Sequence, residues 1–225
     1  YRECSVMKLP YILSGINKGG DEIEIYGVTT HAGTINPTIT FPDEELDDLH
    51  LIATCADSLR PEDNIGGWFT RYNASDDPMY QIIGRKYQGF TTSSITHSDI
   101  TRSTVEGVSI KLSIRNSTAI IEQSILNNAG SSGMPIAPSY TLTSADNGKL
   151  VLLFGFLDDD VVTSVTAPST YTMVAFENEN SPTTLDYSTI MCAYAIYQHG
   201  VTDLSPSAFG GSGDDRWVSV TLVIS

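Results

Sequence analysis

Four histidines, 27 carboxylates and three cysteines are the residues of this 225-residue chain whose types could carry chemistry. Hydrolysis by a serine nucleophile needs serine, histidine and carboxylate in mutual contact, and in one large class the serine sits in a Gly-x-Ser-x-Gly turn. No serine here has that setting, and His31, His50, His97 and His199 are scattered along the chain. His50 stands between Leu49 and Leu51, at the alternate position of a strand pattern, which predicts a solvent-facing ring. Acidic pairs could cleave glycosides if two carboxyls were held at a fixed separation. The acidic runs Asp43-Glu44-Glu45, Asp158-Asp159-Asp160 and Asp214-Asp215 instead fall where turns are expected, and nothing in their spacing fixes such a distance.

Asp158-Asp159-Asp160 follows a strand pattern and offers oxygen ligands for calcium, yet the alternating Asp-x-Asp-x-Asp-Gly spacing is missing, so a solvated turn is expected. The cysteines and histidines lack zinc-site spacing. Cys55 and Cys192 lie within strand patterns, where a thiol packs as a small apolar group. With Cys4 the count is odd, and a Cys55–Cys192 bridge stays open. Gly210-Gly211-Ser212-Gly213 has no Lys-Ser/Thr after it and reads as a mobile loop rather than a phosphate cradle. Asn73-Ala74-Ser75 and Asn116-Ser117-Thr118 match the glycosylation acceptor pattern. Tyr11, Tyr72, Tyr171, Tyr187 and Trp68 stand near loops, where amphipathic aromatics stack on sugars or pack at interfaces. The expectation is a protein with no catalytic residue, no cofactor and no metal site.

Charge narrows the partners. With 27 acidic and 12 basic side chains the net charge is −15, which repels phosphate backbones and argues against nucleic-acid binding. No run of about 18 apolar residues is present, so no membrane-spanning helix is expected. The first residues, Tyr1-Arg2-Glu3-Cys4, show neither an initiator Met nor a signal-peptide profile.

The elements that must position these residues are strands. Val218-Ser219-Val220-Thr221-Leu222-Val223-Ile224 is apolar at every second position, the period of a strand with one face in a core. The same pattern occurs at Val108–Ile114, 218 − 108 = 110 residues earlier. At that spacing Tyr80–Gln88 also matches Ile190–Gln198. Pro37–Phe41 and Asp48–Ile52 match Pro138–Leu142 and Lys149–Leu153 at 138 − 37 = 101. The chain reads as a duplication, with repeats at about 33–114 and 134–225. Further strands are expected at about Glu22–Val28, Gly33–Phe41, Leu49–Cys55, Gly66–Thr70, Met79–Gln88, Val105–Ile114, Pro135–Leu142, Lys149–Phe156, Thr170–Glu177, Thr189–Gln198 and Arg216–Ser225. Asn127–Gly133 reads as the linker between repeats. Residues 1–20 read as an apolar N-terminal arm that docks on a neighbouring subunit.

Short strands separated by polar turns predict an all-β fold. The expected form is a jelly-roll-like antiparallel β-sandwich over 21–225, with a pseudo-two-fold axis relating its repeats. A half-unit alone would leave open edges and a thin core, which favours two repeats merged into one domain.

Three stretches carry a family resemblance. They are Asp47-Asp48-Leu49-His50-Leu51-Ile52-Ala53, Gly67-Trp68-Phe69-Thr70 with Met79–Lys86, and the closing Trp217–Leu222. Together they resemble β-sandwich modules of tailed-bacteriophage virions, over about residues 33–225. Asp47-Asp48 stands where those modules carry Gly-Asp, and Arg85-Lys86-Tyr87 replaces their usual strand ending. The resemblance implies an architecture and a setting, not a functional residue. The implied protein is a virion-surface subunit, a capsid decoration or cement protein or a tail component, homo-oligomeric and bound to other virion proteins. Two other readings stay open: a carbohydrate-binding adhesin using Trp68 and rim tyrosines on host glycans, and a sandwich-fold polysaccharide-degrading enzyme.

Overall fold

The computed structural model describes residues 22–34, 38–40, 46–56, 69–74, 79–86, 94–96, 106–118, 126–141, 143–158, 162–179, 188–197 and 205–225. The N-terminal arm expected over residues 1–20 lies outside them. Apolar alternation builds strands throughout. In the first sheet β1 (Glu24–Thr34), β7 (Glu106–Arg115), β3 (Leu49–Ala56), β5 (Met79–Lys86) and β4 (Phe69–Ala74) lie side by side in that order. In the second the order is β10 (Thr172–Glu179), β11 (Ser188–Ile196), β9 (Leu150–Asp158), β12 (Trp217–Ile224) and β8 (Leu126–Gly130). All neighbours in both sheets are antiparallel. A separate ribbon pairs β2 (Thr38–Thr40) with β6 (Ser94–Thr96). Among the described residues the only helical element is a single 3-10 turn, Ser144–Asp146.

The strand order of one sheet repeats in the other: β4-β5-β3-β7-β1 against β10-β11-β9-β12-β8. Registers repeat as well. Leu49 pairs with Lys86 and Ile114, while Leu150 pairs with Ile196 and Ile224. Those partners are related by 49 + 101 = 150, 86 + 110 = 196 and 114 + 110 = 224. A bulge interrupts β4 between Thr70 and Tyr72, opposite Ile83 and Ile82; another interrupts β10 between Met173 and Ala175, opposite Ala193 and Cys192. The turn entering β3 holds Asp47 at φ 72°, and the turn entering β9 holds Gly148 at φ 82°, at the same spacing of 101. That left-handed backbone suits glycine, and aspartate is among the few residues that tolerate it.

The sheets pack face to face. β1 lies against β10, β7 against β10 and β11, and β3 against β11 and β9. One buried cluster draws Leu49, Leu51, Cys55, Tyr80, Ile110 and Leu112 from the first sheet. From the second come Leu150, Leu152, Phe154, Phe156, Val220 and Leu222. Burying each such side chain contributes about 1.5–3 kcal/mol. The described strands of residues 24–115 and 126–224 fill separate sheets. The path therefore differs from a jelly roll, whose strands cross repeatedly between sheets.

Several boundaries differ from expectation. The strand expected at Glu22–Val28 runs on to Thr34, taking Gly33 from the strand assigned to Gly33–Phe41, of which the described part is the short β2. Asn127–Gly133 is not a linker over its first half but belongs to the edge strand β8. Its small polar residues hide the signal because backbone pairing to β12 and cover by the Trp217 ring hold it in place. Pro135–Tyr140 is not a sheet strand: its two prolines cannot donate to a ladder. It crosses the outer face of the second sheet instead, where Ser219 Oγ donates to the Ile136 carbonyl (2.7 Å) and Thr221 Oγ1 to that of Pro138 (2.8 Å).

Candidate functional site

The second sheet buries its outer face beneath its own connections. Met134, Ala137, Val162 and Phe209 close over Val151, Leu153, Met191, Ala193 and Val223. Gly155 makes the fit possible, since a Cβ there would lie 3.0 Å from the Pro135 Cβ and 2.9 Å from the Met191 Cγ. Gly210 to Gly213 is not a mobile loop. Gly210 and Thr166 exchange two backbone hydrogen bonds (2.9 and 3.0 Å), and Gly211 and Gly213 pack on Met134 too closely to accept side chains freely. Asp214 Oδ1 accepts from the Gly133 N–H (3.0 Å) and Asp215 Oδ1 from the Arg216 N–H (2.6 Å), so these acids are turn-formers.

The outer face of the first sheet is the polar counterpart. His50, Thr54, Gln81, Ser109, Lys111 and Ser113 are all buried there, Lys111 at 5% exposure and His50 at 0%. The equivalent residues of the second sheet are Val151, Gly155, Met191, Ser219, Thr221 and Val223. His50 is therefore not solvent-facing: alternation puts it on the outer face as expected, but that face is covered. Its Nδ1 lies 3.1 Å from Ser113 Oγ, its cross-strand neighbour.

One register step away, Arg115 donates a two-pronged bond to Asp48, Nε to Oδ1 at 3.3 Å and Nη2 to Oδ2 at 3.2 Å. The Arg115 guanidinium sits 4.3 Å from the centre of the Tyr26 ring. Burial pushes the Tyr26 hydroxyl pKa well above its ordinary value, and the Asp48 carboxylate adds to the rise; Ser113 and Arg115 act against it. A neutral phenol at all physiological pH follows.

This cluster brings together a serine, a histidine and a carboxylate. Ser113 is 3% exposed and His50 is enclosed, while Asp48 is committed to Arg115. The arrangement ties β1, β3 and β7 together more readily than it presents a nucleophile to a substrate. The sequence pattern missed Tyr26, Asp48, Lys111 and Arg115. The available signal was a lysine and an arginine at alternating positions of a strong strand pattern.

His31 is half-buried on β1, whereas His97 and His199 lie outside the described residues. Asp158 is the buried last residue of β9, not part of a solvated turn, because its N–H donates to the Arg216 carbonyl (3.0 Å) and anchors the strand end. Asp159, Asp160 and Asp43–Glu45 lie outside the described residues. Among the described residues no group of three or more His, Cys, Asp or Glu side chains converges as metal ligands would. Cys55 and Cys192 are free thiols in the core, so the bridge left open by the sequence is not formed. Burial pushes the Cys192 thiol pKa far up, leaving it a packing group.

Asn116 is exposed at φ 59°, with its side-chain amide donated to the Glu22 carbonyl (2.8 Å). Of the rim aromatics, Tyr171 packs on the outer-face cluster of the second sheet, and burial pushes its pKa up to about 12. Tyr72 lies on β4; Tyr11, Tyr187 and Trp68 are outside the described residues.

A third polar knot caps the turn before β9. Asp146 accepts from the Thr143 N–H (2.7 Å) and Oγ1 (2.8 Å) and pairs with Lys149 Nζ at 2.5 Å. Burial alone would raise its pKa, but the Lys149 and Thr143 bonds outweigh it and hold the carboxyl below its ordinary value. A depressed folded pKa contributes stability that is present above the unfolded-chain value and lost as pH falls through the folded one. Urea midpoints measured from about pH 5 down to pH 2 should therefore fall less steeply for Asp146→Asn than for the parent. Equal slopes would show that the knot is neutral.

Comparison of the chain with protein-family models, curated proteins and solved structures finds no match. The class defined here is thus architectural: an all-β protein of two packed antiparallel sheets.

Proposed function

We propose that the chain is a non-enzymatic structural subunit of a virus-particle surface, of the bacteriophage decoration, cement or tail kind, built as a duplicated half-sandwich. Duplication is supported by the repeated strand order, registers, bulge and left-handed turn. The reading rests above all on how the reactive side chains of the described residues are used. His50 with Ser113, Asp48 with Arg115 and Tyr26, and Asp146 with Lys149 all hold strands or turns in place. A scaffold that commits its polar groups internally serves by shape and surface contact. The net charge of −15 agrees with an exterior role, since it disfavours contact with packaged nucleic acid. The virion setting itself is supported only by the likeness of Asp47–Ala53, Gly67–Thr70 and Trp217–Leu222 to virion sandwich modules.

The test is quantitative mass spectrometry of purified particles from the source of the chain, with antibody labelling imaged by electron microscopy. A structural subunit is present in a fixed number of copies and labels the particle exterior. Recovery only as free protein, with particles unlabelled, would remove the proposal.

A further inference from the structure

The glycine-rich segment Phe209–Arg216 is fastened to Gly130–Pro135, and Met134 stands at the middle of the fastening. The Phe209 N–H donates to the Pro135 carbonyl (3.0 Å), and Asp214 receives the Gly133 N–H (3.0 Å). Trp217 Nε1 donates to the Ser132 carbonyl (3.0 Å). Between these, the Gly213 N–H donates to the Met134 sulfur at 3.3 Å. A Cβ on Gly211 would lie 2.7 Å from the Met134 Cε, and one on Gly213 would lie 3.0 Å from the sulfur. The thioether is thus in close contact with the backbone at both glycines. It is also 9% exposed, whereas Met191 beneath it is 0% exposed.

We propose that Met134 is a peroxide-sensitive latch: oxidation of its sulfur releases the Phe209–Arg216 segment from the outer face of the second sheet. The step balances without help from the protein. Sulfur attacks one oxygen of hydrogen peroxide, an S–O bond forms as the O–O bond breaks, and the proton on the attacked oxygen passes to the departing hydroxide, which leaves as water. The product sulfoxide is larger and strongly polar, and it sits badly in an apolar site. The new oxygen would press on Gly211 or Gly213, and the site lined by Leu157 and Val162 offers it little solvation. Lifting the segment relieves both problems and bares Leu157, Val162 and Phe209, which now lie buried. Phe209 itself is held by the Pro135 carbonyl, two bonds from the latch residue's own peptide, so its amide should loosen with the segment.

The full-length protein is treated with graded hydrogen peroxide, and Met134 oxidation is followed by peptide mapping. Amide hydrogen exchange over residues 209–217 is measured on the same samples. Exchange there should become about tenfold faster in proportion to Met134 sulfoxide, while β3 and β7 stay protected. Reduction by methionine sulfoxide reductase should restore the original rates, and Met134→Leu should abolish the response. If the leucine variant does not fold, the oxidation and reduction arms on the parent protein decide alone. Sulfoxide at Met134 with unchanged exchange, refusal of Met134 to oxidise in the folded chain, or equal acceleration in Met134→Leu would each overturn the proposal.

Discussion

Phe156→Ala should cost about 3–5 kcal/mol of stability, among the largest losses expected from a single truncation of the described residues. Phe156 is wholly buried between the sheets and stacks on Tyr80 of the opposite sheet, ring centres 4.5 Å apart and planes 23° from parallel. Phe154 adds a second ring contact at 6.3 Å. At the positions of the first sheet equivalent to Phe154 and Phe156 stand Ala53 and Cys55, by 154 − 101 = 53 and 156 − 101 = 55. Tyr80 in turn faces an equivalent Ile190, by 80 + 110 = 190. The first sheet is smaller than the second at Ala53 and Cys55 and larger at Tyr80. The Cys55 Sγ, 3.9 Å from the Leu157 carbonyl, occupies ground that a second phenylalanine would overfill. The interior is therefore pseudo-symmetric in backbone and complementary in side chains. Denaturant midpoints for Phe156→Leu, Tyr80→Leu and the double variant should give a coupling of about 0.5–1.5 kcal/mol. Additive losses would mean that the two rings do not act as a pair.

The second large effect belongs to the smallest residue. Gly130 pairs with Trp217 across β8 and β12, and a Cβ on Gly130 would run into the indole, 2.5 Å from its Nε1. Gly130→Ala should destabilise by about 1–3 kcal/mol, because the ring must swing away and abandon its bond to the Ser132 carbonyl. Trp217→Ala alone should cost about 3–5 kcal/mol. Removing the ring removes the three atoms nearest the alanine Cβ at 130, so the double variant should lose little more than Trp217→Ala. Chemical denaturation followed by far-ultraviolet circular dichroism reads all three. Full additivity would show that the cost at Gly130 does not come from the Trp217 ring.

Legibility in the sequence followed the density of apolar alternation. β7 and β12 lie where Leu, Ile and Val recur at every second residue, β3, β5, β9 and β11 lie in broader apolar runs or alternations, and the spacings of 101 and 110 anticipate the matched registers. β8 was hidden because an edge strand covered by a tryptophan from its neighbour needs no alternation of its own. Pro135–Tyr140 copied the pattern of a strand, yet proline removed the donors a ladder requires, and hydroxyls of β12 took over the attachment. Outer-face polarity misled in another way. At His50, Lys111 and Ser113 it suggested contact with water, because period-2 reasoning assigns a side but not what covers that side. The Gly210–Gly213 run suggests freedom in the sequence, while in the fold glycine marks close approach: Thr166 and Met134 lie where side chains would be.

The two sheets share one buried interior, so neither half should be stable without the other. Native-state hydrogen exchange across a denaturant series tests this most directly, comparing amides of β3 and β7 with those of β9, β11 and β12. The account predicts that both sets converge on one opening free energy and one denaturant dependence, as a single cooperative unit requires. Two separate isotherms, with the sheet of residues 126–224 staying protected after that of residues 24–115 has opened, would contradict it.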